Sequence, residues 1–234
     1  MRKLFGLLLL LLAVSSCEED TNMIIHTPQR IHLYPGAQKQ IEAESSQKIQ
    51  YSSLNDYYAS VDENGLVTAR YVGDTQVRLS TSDVKEFIQV SVIPRYTLYV
   101  EPYYEFPSTR YAVEKMYGEP YKEEDNCLVY ETLDVEASKY FYFCFDDEDN
   151  LLASVATITE GNEEELGKFL AERYVTVNQE EFIYRNTLEV TDETVEIRSF
   201  YSDKYGSRVV VYAPYGTDFD TFKTFAEPLK YCKK

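Results

Sequence analysis

The second half of the chain repeats itself at a distance of 55 residues, and this periodicity constrains its fold more than any other feature. The shift places Val155 on Val210 without a gap through the apparent strands. Self-similarity at a constant period is typical of a duplicated supersecondary unit. Residues 95–234 are therefore predicted to form one domain of two units, about 108–158 and 163–213. Other superposed pairs are Thr132 and Thr187, Leu133 and Leu188, Asp134 and Glu189, Val135 and Val190, and Phe145 and Phe200.

Each unit is expected to contain one helix followed by three strands. The first helix is predicted over 108–117, with Ser108 as its cap and Gly118 as its stop. The second is predicted to begin after Asn162, with acids in its first turn. The resulting α+β domain is predicted to form an antiparallel sheet. The expected strands are 127–132, 139–146 and 151–158, then 181–187, 194–201 and 207–213.

Residues 23–94 show a different pattern, with short alternating stretches of apolar and polar residues. Turn signals separate these stretches every 8 to 12 residues or so, as in β-sandwiches. Asn64-Gly65 lies between two such stretches and indicates a hairpin. The chain is therefore predicted to be multidomain, with an all-β sandwich preceding the α+β domain.

The string "YSSLNDYYASVDENGLVTARYVGDTQVRLST" resembles the core of the bacterial Ig-like domain, group 2. The family usually has Trp where this chain has Tyr51. The resemblance implies an Ig-like sandwich known from surface proteins and adhesins, acting either as a spacer or as a binding domain. The matching positions are Tyr51, Ser52, Ser53, Val61, Asp62, Gly65, Val67, Thr68, Ala69, Gly73 and Val77.

The first residues are typical of an export signal. Arg2 and Lys3 precede an apolar run that ends at Val14, which is too short to span a bilayer. The following "VSSC" resembles the lipobox of bacterial lipoproteins, which implies cleavage after residue 16 and acylation of Cys17, for example with palmitate. Two or more acyl chains form a stable membrane anchor.

Residues 17–22 form a predicted acidic tether after the signal peptide 1–16. Glu18, Glu19 and Asp20 are similar to the export signal of surface lipoproteins in the Bacteroidota. That resemblance implies an outer-membrane protein facing the cell exterior. The alternative is a solvated acidic tether that is not an export signal.

A second resemblance concerns residues 95–234. The stretch "VEKMYGEP" and the tandem layout are similar to the β-lactamase-inhibitor-like fold. In that fold the helices lie on one side of a sheet, and the open face binds a partner protein. The second unit departs from the pattern, because it has Arg173-Tyr174 where Gly-x-Pro would fall.

Composition and motifs disfavour several function classes. The net charge of −17 opposes binding to nucleic acid or anionic headgroups. No nucleophile motif, phosphate loop or zinc spacing is present, so we expect no enzyme activity, metal or cofactor. The stretch "DDEDN" at 146–150 lacks the spacing of an EF-hand, which favours a solvated hairpin tip over a calcium site.

Cys127 and Cys144 become direct neighbours if the hairpin of strands 127–132 and 139–146 pairs Thr132 with Lys139. A cross-strand disulfide is then a hypothesis for an exported protein. Two buried free thiols are the alternative, since the register is an assumption.

Tyrosine dominates the aromatic residues, with 22 Tyr, 12 Phe and no Trp. The pairs Tyr57-Tyr58 and Tyr103-Tyr104 are candidate ligand-facing aromatics that could stack on sugar rings. Packing within strands and the linker is the alternative. The sequence thus predicts a lipid-anchored, non-catalytic binding module with an Ig-like spacer and an unknown protein partner, or else a glycan-binding accessory protein.

Overall fold

The computed structural model describes residues 22–132 and 137–223. The predicted signal peptide 1–16, the lipidation site Cys17 and nearly all of the tether 17–22 lie outside the described residues. Within the described ranges, neither helix is long and apolar enough to cross a bilayer.

The first domain is a β-sandwich, as predicted. A four-stranded sheet in the order β2-β9-β8-β5 packs against a three-stranded sheet in the order β3-β7-β6. Strand β1 pairs with β4. Strand β2 runs parallel to β9, and the other pairs are antiparallel. The strands are β1 Ile24–Ile25, β2 Arg30–Leu33, β3 Gln38–Gln40, β4 Ala43–Glu44, β5 Gln50–Ser53, β6 Ala59–Val61, β7 Leu66–Ala69, β8 Gly73–Ser80 and β9 Lys85–Val92.

Alternation along the strands builds the core of this sandwich. In β8, Val77 and Leu79 are fully buried, whereas Gln76 is exposed and Arg78 is half-buried. Gly65 has a φ of +84°, in the left-handed region, and a Cβ there would lie 2.9 Å from the ring of Tyr51. The turn before β7 therefore requires glycine for its backbone conformation and for the aromatic ring that packs on it.

The second domain has one antiparallel sheet of eight strands in the order β10-β11-β12-β13-β17-β16-β15-β14. Helix α1 precedes the first four strands and helix α2 precedes the last four. Its elements are α1 Arg110–Tyr117, β10 Lys122–Glu124, β11 Cys127–Glu131, β12 Tyr140–Phe145, β13 Leu151–Ile158, α2 Glu163–Arg173, β14 Val175–Asn178, β15 Ile183–Arg185, β16 Val195–Ser202, β17 Ser207–Pro214 and a 3-10 helix Phe219–Phe222.

Each helix is followed by four strands, so the predicted count of three is wrong. The additional strands are β10 and β14, which form the two edges of the sheet. Strand β10 has the sequence Lys-Glu-Glu and is exposed throughout. Charged edge strands protect a sheet from pairing with another chain, and they lack the alternation from which a strand is predicted.

The sheet is symmetric about the contact between β13 and β17. Val155 lies opposite Val211 and Ala156 lies opposite Val210. Since positions 155 and 156 correspond to 210 and 211 at the 55-residue spacing, exchanging the two halves maps this contact onto itself.

Both faces of the central strands are buried. Helix α2 packs Leu166 and Phe169 against one face. The opposite face includes Val155 and packs against Phe219 and Phe222 of the 3-10 helix. The expectation of an open sheet face is therefore wrong, because the chain covers this face with its own aromatic side chains.

Helix α1 begins two residues later than predicted. Thr109, rather than Ser108, is the N-cap, and its hydroxyl accepts a hydrogen bond of 3.4 Å from the backbone N–H of Ala112. Gly118 ends the helix at a φ of +79°, as expected for a C-terminal glycine.

Cys127 and Cys144 lie directly opposite each other in β11 and β12, in the register assumed from the sequence. Their sulfur atoms are joined in a disulfide. Both residues are at least 98% buried on the face covered by the 3-10 helix. The bond therefore fixes the register of these two strands from within the core.

Replacing both cysteines tests this bond. The Cys127→Ala/Cys144→Ala variant should lose about 2–4 kcal/mol of unfolding free energy, because its unfolded chain regains the freedom of the closed loop. Urea unfolding with and without reductant measures the loss, and reductant should destabilise the wild type but not the variant. Equal stability of oxidised wild type and variant would contradict a stabilising disulfide.

Candidate binding cleft between the two domains

The C-terminal end of α2 is hydrogen-bonded to the β-sandwich of the first domain. The backbone N–H of Val72 donates to the carbonyl oxygen of Glu172 at 2.8 Å, and the Tyr57 hydroxyl donates to that of Arg173 at 2.6 Å. The last carbonyl groups of a helix have no partner within the helix. The first domain therefore supplies the partners that the end of α2 lacks.

The side chain of Glu172 adds a second connection at the same place. Its carboxylate is 8% exposed and accepts hydrogen bonds from the backbone N–H groups of Arg95 at 2.8 Å and Tyr96 at 3.2 Å. These two residues begin the segment that joins the domains. The joining segment is thus held against α2, and the position of the sandwich is fixed from both sides.

A cleft of about 140 Å³ lies beside this contact, and both domains contribute to it. Its walls are aromatic, and its polar groups are one carboxylate, one guanidinium and one amide. The lining residues are Tyr57, Tyr58, Val72, Glu101, Tyr104, Arg173, Tyr174 and Asn186.

The tyrosine rings of the cleft are supported by other rings. Tyr57 stacks on Tyr71 at a centroid distance of 4.7 Å within the sandwich. Tyr104 stacks on Tyr212 at 4.9 Å within the second domain. Stacked and edge-to-face pairs of rings are favourable and restrict ring motion. The two domains therefore each present a braced aromatic ring to the cleft.

Gly73 makes room for the ring of Tyr58, the other tyrosine that the first domain contributes to the cleft. A Cβ at this position would lie 2.3 Å from the ring of Tyr58, and the φ of Gly73 is +147°. No residue except glycine accepts both the conformation and the contact. The glycine at the start of β8 thus allows Tyr58 to lie against the strand.

Glu101 is at the centre of a network of tyrosine hydroxyl groups. Its Oε1 accepts hydrogen bonds from Tyr174 and, at 3.2 Å, from Tyr212. The hydroxyls of Tyr212 and Tyr99 are 2.5 Å apart, and those of Tyr174 and Tyr104 are 2.9 Å apart. One carboxylate therefore orders four phenol groups.

Arg173 provides the opposite charge. Its Nε lies 3.4 Å from Oε2 of Glu101, and its terminal nitrogens donate to the carbonyl oxygens of Phe169 at 3.0 Å and Tyr96 at 3.1 Å. The guanidinium group also lies 3.6 Å from the centre of the Phe169 ring. The cleft consequently contains one negative and one positive charge, both held by the protein.

Burial changes the protonation equilibria of the cleft. Desolvation raises the pKa of Glu101, although the hydrogen bond from Tyr174 and the charge of Arg173 oppose the change. Desolvation and the nearby carboxylate raise the pKa of Tyr104 to about 12. Burial also raises the pKa of Tyr57 and Tyr174, so these three tyrosines are neutral at physiological pH and serve as hydrogen-bonding and packing groups.

Three of the four candidate tyrosines, Tyr57, Tyr58 and Tyr104, meet in this cleft. Tyr103 does not, since its hydroxyl lies 3.1 Å from Oγ of Ser108 and its backbone N–H donates to the Tyr117 hydroxyl at 2.9 Å. Tyr103 therefore has the packing role that was the alternative for all four.

Sequence reasoning missed the charged pair of the cleft. Glu101 is one of two acids within the aromatic stretch "TLYVEPYYEF", and an acid among so many aromatic residues could have drawn attention to it. Arg173 appeared only as a departure from a family pattern. Their pairing depends on contacts across more than 70 residues of sequence, which no local pattern indicates.

The acidic hairpin tip at 146–150 forms a salt bridge with Arg110. The Arg110 guanidinium donates to Asp149 at 2.7 Å and to Glu123 at 2.8 Å, and Asp146 accepts hydrogen bonds from the backbone of its own turn. Among the described residues, no group of three or more His, Cys, Asp or Glu is placed to hold a metal ion.

A Glu101→Gln variant tests the raised pKa. The folded wild type binds the proton more tightly than the unfolded chain, so it loses stability as the pH rises from about 4.5 through the raised pKa. The variant has no such group. The unfolding free energy of the variant minus that of the wild type should therefore increase over this window and then level off.

Urea titrations at a series of pH values measure this difference. The exposed Glu105 gives a matched control, because Glu105→Gln makes the same chemical change outside the cleft. A difference that falls as the pH rises would show that the pKa of Glu101 is lowered rather than raised.

Residues 24–90 match the family model of the bacterial Ig-like domain (group 2). A comparison with curated proteins finds no match. Solved structures with similarity include an intimin mutant of EHEC O157:H7, which is 20% identical, with 42% of this chain and 63% of that chain covered and a TM-score of 0.25. Domains 4–9 of the surface layer protein SbsC are 9% identical, with coverage of 83% and 27% and a TM-score of 0.27.

Human protocadherin-24 EC1-2 is 13% identical, with 82% of this chain and 94% of that chain covered and a TM-score of 0.26. These TM-scores are too low for a shared arrangement of the whole chain. The chain spans less than two thirds of the intimin and SbsC chains. Residues 24–90 form a bacterial Ig-like domain of group 2.

Proposed function

We propose that this protein is a lipid-anchored, non-catalytic binding module of the cell envelope, held in the outer membrane through Cys17 and facing the cell exterior. The observation that carries the binding role is the cleft that both domains line. An Ig-like domain fits a surface or adhesion-type binding module. Its hydrogen bonds to α2 support a role in shaping the cleft in addition to spacing.

The composition of the cleft supports binding rather than catalysis. Glu101 is the single carboxylate among its lining residues, and Arg173 and two tyrosines engage it. Glycoside hydrolysis by carboxyl groups uses two carboxylates with separate roles, and the lining has only one. A single paired carboxylate among phenol groups is suited to holding a ligand.

The anchor is tested with a Cys17→Ala variant of the full chain. Wild-type cells fed an alkyne analogue of palmitate should incorporate the label, and the variant should lose both the label and its membrane association. Cys232→Ala is the matched control and should retain both. Protease added to intact wild-type cells should release peptides from residues 95–234.

Label on the Cys17→Ala variant would contradict the anchor. Release of peptides only after lysis would contradict the exterior location and leave the acids after Cys17 as a tether. The partner would then belong to the periplasm.

A second candidate is a glycan-binding accessory protein at the cell surface. The observation that favours it is the meeting of Tyr57, Tyr58 and Tyr104 in one cleft with a carboxylate and an amide. Aromatic rings pack against the C–H faces of sugars, while polar side chains bind the hydroxyl groups. The −17 net charge favours neutral over acidic glycans.

A glycan array probed with the full chain tests this candidate. We expect binding that falls at least about tenfold in Tyr58→Ala, equivalent to about 1.4 kcal/mol. Tyr111→Ala is the matched control, because Tyr111 is 72% exposed on α1 and should leave binding unchanged. Melting curves establish that both variants fold, and a blank array with wild-type protein would overturn the candidate.

A further inference from the structure

Some polar atoms of the cleft already form hydrogen bonds within the protein, and others are available to a ligand. The Tyr57 proton is donated to Arg173, and the Oε1 atom of Glu101 accepts from two tyrosines. Oε2 of Glu101 has Arg173 Nε at 3.4 Å, beyond the usual range of a hydrogen bond. Since the Glu101 side chain is 23% exposed, Oε2 is an available acceptor at the cleft.

Asn186 supplies a donor. Its Oδ1 accepts a hydrogen bond of 2.8 Å from the backbone N–H of Val195, which orients the amide. Nδ2 then has two N–H groups that form no hydrogen bond within the described part of the chain. The cleft thus offers an acceptor and a donor, one on Glu101 and the other on Asn186, and both are held by contacts with the second domain.

The remaining lining residues are aromatic or aliphatic, and the cleft carries no net charge. Tyr57 and Tyr104 are braced rings from different domains, and Val72 lies beside them. The charges of Glu101 and Arg173 offset each other, so the cleft has no excess charge to select an ion. Its volume of about 140 Å³ is below the roughly 300–1,000 Å³ of pockets for drug-sized ligands.

A neutral ring that carries hydroxyl groups on its edge and C–H groups on its faces matches all of these features. We propose that the cleft binds a single neutral pyranose unit at the end of a glycan, with Oε2 of Glu101 accepting from one hydroxyl and Nδ2 of Asn186 donating to another. This assignment rests on the glycan-binding candidate and specifies where and how the sugar binds.

Calorimetric titration of the full chain tests the assignment. The protein is purified in a detergent without a sugar headgroup and titrated with the methyl glycosides of glucose, galactose, mannose and N-acetylglucosamine. Glucuronic acid and glucosamine serve as the acidic and basic counterparts. At least one neutral glycoside should bind, and more tightly than either charged sugar.

Two variants invert the hydrogen-bonding polarity of the cleft without changing its shape. Glu101→Gln converts the acceptor Oε2 into a donor, and Asn186→Asp converts the donor Nδ2 into an acceptor while Oδ1 still faces Val195. Each should weaken binding at least about tenfold, because a buried polar atom then faces a like partner. Glu105→Gln and Asn178→Asp make the same changes outside the lining and should leave binding unchanged.

Each other outcome has a definite meaning. Unchanged binding in folded Glu101→Gln and Asn186→Asp would overturn the cleft as the sugar site. Preference for glucuronic acid or glucosamine would overturn its neutral character. Binding of longer glycans on the array without binding of any methyl glycoside would overturn the single-unit assignment and leave the glycan-binding function in place, whereas no binding in either assay would overturn both.

Discussion

The arrangement of the two domains depends on the hydrogen bonds at the C-terminal end of α2. A helix leaves its last carbonyl groups without intrahelical partners, and burying such groups unpaired is costly. Here Val72 and Tyr57 of the Ig-like domain provide the missing donors to Glu172 and Arg173. The contact satisfies both domains at once, since neither the carbonyls nor the Tyr57 hydroxyl has to be buried without a partner. The cleft exists because this contact fixes the distance between the two sets of tyrosines.

Glu101 has the corresponding role within the cleft. A carboxylate that is largely removed from water is unfavourable unless donors surround it. Here Tyr174 and Tyr212 donate to Glu101, Arg173 lies beside it, and two further phenol groups contact these tyrosines. The same arrangement that makes the carboxylate tolerable also orients Tyr104 and Tyr174. The burial that raises the pKa of Glu101 thus comes with a rigid aromatic wall, and rigidity lowers the entropic cost of holding a ligand.

The sequence predicted features that depend on neighbours in the chain. Alternation and turn signals located the sandwich, and the spacing of a hairpin placed Cys127 opposite Cys144. The sequence did not predict the features that depend on tertiary contacts. Strand β10 is all charged and forms by pairing at an edge, so no periodicity marks it. The tyrosine pairs are candidates for ligand contact from the sequence, but only the packing of two domains separates Tyr104, in the cleft, from Tyr103, which faces Ser108.

The covering of the sheet places the candidate binding surface away from the sheet face that the fold resemblance implied. An eight-stranded sheet with helices on one side could offer its other side to a partner, but here Phe219 and Phe222 pack there, on the same face as the disulfide. With both faces buried and one edge strand made of charged residues, the sheet acts as a rigid support. Helix α2, whose apolar side is packed on this support, carries its C-terminal end to the Ig-like domain. The candidate binding cleft therefore lies at the junction, where aromatic residues from two domains and a paired charge converge.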